Sequence, residues 1–198
     1  MARLIVVVGM PSGGTSLVAG MLHKLGVDMG RLPTKVEVAA RRFPRAYDSY
    51  ECQDLEAAIK HMLSGAEMAA AFHGYISNRL FCAIARQGVK NPRLLHMVGP
   101  ERFPIDVVHV RRRLEDVFES DMRYTENTPQ RAAALGASVW AMRRFLSTVK
   151  PVLALDFEAA LAAPEQAVAA LVDSLGLAPT TQQLQAAQSH AQRLKMAA

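Results

Sequence analysis

The chain has 198 residues, 51% of them apolar, which is enough for one domain with a substantial core. Charged residues are ordinary in number and the formal net charge is +5, a balance that suits an anionic small ligand and argues little for nucleic acid. The basic runs Arg41-Arg42 and Arg111–Arg113 are too short for polybasic tails, and no apolar run approaches the roughly 20 residues that span a bilayer.

Met1 is followed almost at once by the apolar run Leu4–Val8, with no hydrophobic region leading to a cleavage site. The start therefore reads as structure and not as a signal peptide. Cys52 and Cys82 are isolated and have no metal-ligand spacing; they read as free thiols, with a disulfide between them as the alternative. Both observations lead to the expectation of a soluble, cytoplasmic protein.

The run Leu4–Val8 is bounded by a glycine-rich turn and predicts a buried strand. Gly9 to Ser16 has the Gly-x-x-x-x-Gly-x-Ser spacing of a phosphate loop. A helix follows from near Gly14, with Leu17, Val18, Met21, Leu22 and Leu25 on one side and Gly26 as its stop. Such a junction aims unpaired amides and the positive end of a helix dipole at one point. Gly13 and Gly14 let backbone approach an anion, and the Thr15 and Ser16 hydroxyls add donors. The plainer alternative is a tight turn that binds nothing. Thr15, however, stands where a nucleotide triphosphatase keeps the lysine that reaches the β- and γ-phosphates. A smaller anion such as a single 5′-phosphate fits this loop better than a magnesium triphosphate.

Residues 27–50 contain Pro33 and Pro44, show no period, and read as a long functional loop. Helices are expected over about 51–64 and 66–86, then a weak strand around Gly88–Lys90 and a clear one at Ile105–Val110. Helical patterns follow at 113–122 and 128–148, the latter opened by Thr128-Pro129 as cap and first residue. Val152–Leu155 predicts another strand, Pro164 opens a helix ending near Leu175-Gly176, and a last helix covers about 180–195. Strands alternating with helices predict an α/β fold: a single three-layer P-loop domain over 1–198, its mostly parallel sheet covered by helices on both faces.

Five stretches, taken in order, resemble the sulfotransferase family of bacterial and phage type. GMPSGGTSLVAGMLHKLGVDMG resembles its opening, whose loop usually reads Gly-x-x-(Arg/Lys)-Ser-Gly-Thr-(Ser/Thr). YDSYECQDL is similar to the segment after its long loop, and GVKNPRLL to its Val-Lys-Asp-Pro-Arg element. IDVVHVRRRLEDVFES resembles its strand, arginine and helix, and ALDFEAALAAPEQAVAALVDSLGL its late Tyr-Glu-x-Leu element. The resemblance implies sulfuryl transfer from 3′-phosphoadenosine 5′-phosphosulfate (PAPS) to a hydroxyl or amine of an acceptor that the sequence does not indicate. It places the 5′ side of the donor on Pro11, Ser12, Gly13, Gly14, Thr15 and Ser16, and the 3′-phosphate on Arg112 and Ser120. A one-residue slip would bring in Arg111. The plainer reading makes Arg111–Arg113 a solvated helix start partnered by Glu115 and Asp116.

Departures from the family pattern fall on the chemistry. Ser12 occupies the place of the loop's arginine or lysine, Asn91 replaces an aspartate, and Leu114 replaces a proline. The tail, with Arg193 and Lys195, has no Arg-Lys-Gly-x-x-Gly element. Charge grows on the bridging oxygen during sulfuryl transfer, so a cation there is the main lever, and Lys90 is the best remaining one. Ser12, by position, and Glu51, as base, complete the candidate catalytic set. Asp48 is a second candidate for acceptor contact, and solvated or capping roles are the plainer reading of both carboxylates. No metal-ligand cluster appears, and no metal is expected. His73 and His96 read as packing residues, Trp140 and Met142 as core. A P-loop kinase, with Asp156 ending a strand as a magnesium ligand would, is the first alternative function. A degenerate nucleotide-binding interaction protein is the second.

Overall fold

A computed structural model describes residues 3–30, 57, 67, 70–73, 87–90, 92–96, 99–122 and 128–197. Leu4–Val8 forms strand β1, and all five residues are buried, as an unalternating apolar strand must be when both faces are covered. Strand β2 (Gly88–Lys90) lies on one side of it, and β3 (Ile105–Arg111) with β4 (Leu153–Asp156) on the other. The sheet order is β2-β1-β3-β4 and every pairing is parallel. The stretch at Gly88–Lys90 has only three residues, too few to show a period, and its pairing with Ile5, Val6 and Val7 makes it a strand.

Six helices follow the chain among the described elements: α1 (Thr15–Lys24), α2 (Leu114–Met122), α3 (Pro129–Thr148), α4 (Phe157–Ala162), α5 (Pro164–Leu175) and α6 (Thr181–Ala197). Successive β1 residues serve opposite cores, following the strand pleat. Ile5 and Val7 join α1, α5 and α6 through Leu17, Met21, Leu171 and Ala187. Leu4, Val6 and Val8 join α3 through Ala141 and Phe145, with Phe72, Leu94 and Leu95 beside them. This is the expected three-layer arrangement with helices on both faces. Among the described residues no helix is long and apolar enough to cross a membrane.

Local signals fall where they were read. Thr128 Oγ1 accepts the Arg131 N–H at 3.2 Å and opens α3. Gly176, at φ +59°, closes α5 in the left-handed region that glycine tolerates best. Two expectations need correction. Helix α4 was not separated from its neighbours: six residues are too short to carry a period, and Asp156 starts it by accepting the Ala159 N–H at 3.0 Å. Trp140 is not core but 63% exposed, because α3 buries Leu135, Ser138, Ala141 and Phe145 and turns position 140 away. The Arg144 guanidinium lies over its ring. Met142 packs partly buried against the core, while His73 is exposed beside Phe103 and His96 is half-buried. The helices expected over 51–64 and 66–86 and the loop 31–50 lie outside the described residues, except that Ala57, Glu67 and Ala70–His73 are helical. Residues 27–30 are described: Val27 and Met29 are buried, and Asp28 bridges Gln87 beside the sheet.

Candidate functional site at the first strand-to-helix junction

The chain reverses side at β1: from it one connection leads to β2 and the next to β3 on the opposite flank. Open parallel sheets bind ligands at the carboxyl ends of strands at such a switch point. The glycine-rich loop Gly9–Gly14 lies there. A Cβ on Gly9 would sit 2.8 Å from the Val110 carbonyl oxygen, so the loop is pressed onto β3. The Gly13 N–H donates to the Met10 carbonyl at 2.9 Å and closes the turn. The first turn of α1 keeps amides without intrahelical acceptors, and its N-cap, Gly14, has no side chain to cover them. Two constraints hold glycine at this position: φ is +88°, and a Cβ would meet the Phe157 ring at 2.0 Å.

Among the described residues, Lys90, Arg112, Asp121 and Phe157 bring side chains to this junction. Ser16 is buried and accepts from Lys90 Nζ at 3.3 Å, which brings a buried lysine amine from β2 to the start of α1. Lys90 is therefore an interior residue, not a snorkelling surface one. Arg112, just past β3, donates Nη1–H to the Ser12 carbonyl at 3.0 Å and Nε–H to Glu158 at 3.0 Å. Its guanidinium lies 4.5 Å from the centre of the Phe157 ring. The three consecutive arginines thus part ways. Arg111 is exposed, and Arg113 takes the surface partners Glu115 and Asp116 that the plainer reading assigned to the whole run. Arg112 alone of the three reaches the loop.

Sequence reasoning passed over two residues, Asp121 and Arg131. Ser12, itself in the left-handed region at φ +58°, donates its hydroxyl to Asp121 at 3.0 Å. Asp121 is almost wholly buried and accepts two hydrogen bonds from Arg131, one of them from Nε at 2.6 Å. The hydrogen bonding to Asp121 raises the Arg131 pKa above the ordinary arginine value, against the effect of burial. A signal did exist: an acid in the last turn of a helix and an arginine in the first turn of the next both oppose the helix dipoles. Ser120 is half-buried on α2, next in sequence to the carboxylate that holds Ser12. Glu51, Asp48 and Asn91 lie outside the described residues.

No protein-family model matches the sequence, and no curated protein matches it at a significant level. Solved structures do. The chain is similar to the sulfotransferase STF1 from Mycobacterium tuberculosis H37Rv, with TM-score 0.63 and 17% identity over 96% of this chain and 72% of that one. It is also similar to the sulfotransferase domain from the curacin biosynthetic pathway, with TM-score 0.56 and 17% identity over 94% and 78%. Retinol dehydratase in complex with androsterone and the inactive cofactor PAP aligns at TM-score 0.48 and 14% identity, over 98% and 66%. The protein has a sulfotransferase-type fold.

Proposed function

We propose that this protein is a PAPS-dependent sulfotransferase that acts on a hydroxyl or amine of a small-molecule, glycan or protein acceptor in the cytoplasm. The observation that carries the reading is the convergence of Lys90 and Arg112 on one uncapped helix start, within a sulfotransferase-type fold.

The residues present fit such a donor. Backbone amides of Gly14, Thr15 and Ser16, with the Thr15 and Ser16 hydroxyls, form the 5′-phosphate cradle, and the dipole of α1 adds positive charge there. Arg112 and Ser120 form the 3′-phosphate site, in which the arginine gives a two-pronged, charge-assisted contact. The bound donor would supply an activated sulfuryl group, with negative charge growing on its bridging oxygen. Lys90, enclosed beside Ser16, keeps a cation at that end of the cradle, where low dielectric strengthens its effect. The acceptor's proton leaves as the new bond to sulfur forms, and Glu51 or Asp48 is the carboxylate assigned to take it. The kinase alternative loses support at Asp156, whose carboxylate caps α4.

Thermal-shift measurements test the reading. Adenosine 3′,5′-bisphosphate without magnesium is expected to raise Tm as RT ln(1 + [L]/Kd) requires, and Mg-ATP is not. Transfer of label from the sulfuryl donor to an acceptor then separates an enzyme from a degenerate binder. Stabilisation by Mg-ATP alone would overturn the assignment.

A further inference from the structure

Ser12 carries no charge, yet it sits at the crest of a loop assigned to an anion, with a buried carboxylate on its hydroxyl. A bare carboxylate there would repel the ligand. Asp121 is not bare: the oxygen that accepts from Ser12 also accepts from Arg131 Nη2, and the second oxygen accepts from Nε. The guanidinium therefore stands two hydrogen bonds from the Ser12 hydroxyl, through one shared atom. Side-on pairing through Nε and Nη2 leaves Nη1 on the outer edge of the fork. Exposure divides the same way. The Asp121 side chain is 1% exposed, whereas that of Arg131 is 35% exposed.

Neither residue serves its own helix. Asp121 is in the last turn of α2 and Arg131 in the first turn of α3, each with the sign that the local dipole disfavours. They pair with each other across the interhelical connection. The Thr128 cap fixes the Arg131 backbone at the same point.

We propose that Arg131, positioned by Asp121, supplies from α3 of the same chain the cation that the loop sequence lacks, and that it faces the sulfuryl end of the donor. The assignment rests on the PAPS reading above. Because adenosine 3′,5′-bisphosphate lacks the sulfuryl group, the ratio of donor to bisphosphate affinity isolates this contact from general effects on the nucleotide site.

The experiment measures both Kd values by equilibrium binding, together with unliganded stability by denaturant. Arg131→Gln is expected to weaken donor binding about tenfold or more relative to the bisphosphate, the size of one charge-assisted hydrogen bond. Should that variant fail to fold with Asp121 left unpaired, Asp121→Asn/Arg131→Gln keeps a neutral amide pair and gives the same readout. Adding Ser12→Arg to the double variant returns the cation to the loop and is expected to restore the ratio. An unchanged ratio in the folded variants, or no recovery with Ser12→Arg, overturns the proposal, since a purely structural pair would weaken both ligands alike. Wild-type protein that binds neither nucleotide would instead overturn the PAPS reading itself.

Discussion

Lys90 Nζ lies 3.3 Å from Ser16 Oγ, and both side chains are buried where β2 ends beside the start of α1. A lysine enclosed at that point has its amine held in place before any ligand arrives, so little reorganisation is needed when charge develops. Lys90→Met is expected to lower kcat about 10²–10³-fold, the cost of losing one preorganised donor. Bisphosphate affinity is expected to change much less. Steady-state kinetics alongside equilibrium binding would show the split, and wild-type turnover in the variant would remove Lys90 from the chemistry.

Gly14→Ala is expected to destabilise the fold by about 2–5 kcal/mol. The left-handed backbone contributes about 1–2 kcal/mol of this, and overpacking against Phe157 a further 1–3 kcal/mol. Denaturant midpoints would measure it. Phe157→Leu in the Gly14→Ala background should recover part of the loss, because it relieves the steric share alone.

Glu158 holds the Arg112 Nε that the proposed 3′-phosphate needs. The pair is partly solvent-exposed and weak enough for a phosphate to displace. Glu158→Gln is therefore expected to tighten adenosine 3′,5′-bisphosphate binding by roughly 2–5-fold, and Arg112→Gln to weaken it. Calorimetric titration would decide. Equal affinities in the wild type and both variants would place the 3′-phosphate elsewhere.

His109 faces the α3 side of the sheet near the carboxyl end of β3, and its Nε2 is buried with no hydrogen-bond partner among the described residues. Burial, and then the Arg111 charge, lower its pKa below the ordinary value of 6.5. The unfolded chain thus takes up a proton that the folded one refuses. This histidine leaves stability intact above pH 6.5 and reduces it as pH falls from there toward its folded pKa. His109→Gln should flatten that acid-side slope. Unfolding midpoints measured on both proteins from neutral to mildly acidic pH would show whether the slopes differ.

Trp140 is the only tryptophan, so its emission reports a single surface. Being 63% exposed, it should be quenched readily by iodide in the folded protein, with the Arg144 guanidinium over its ring drawing the anion in. Fluorescence quenching would test this. Resistance to iodide before unfolding would mean that the indole is covered in solution.

Much of the fold was readable because its signals are local. The LIVVV run, the Thr128-Pro129 opening of α3 and the Gly176 stop of α5 each act over a few residues, within reach of their own hydrogen bonds. Helix α4 and the exposure of Trp140 were not readable. One element is too short to be periodic, and an indole at one position of an alanine-rich helix does not say which face the sheet will cover.

The sequence by itself determined that a buried strand feeds a glycine-rich, uncapped helix start, and that parallel strands alternate with helices around it. Backbone sterics, capping and apolar periodicity decide those matters with no distant partner. Only the tertiary structure decided which arginine of three turns inward, that Lys90 is interior, and that Asp121 holds Ser12 while paired with Arg131. Those contacts join residues 74 apart for Ser16 and Lys90 and 109 apart for Ser12 and Asp121. Strand order and helix docking bring such groups together, and no local preference of the chain encodes their meeting.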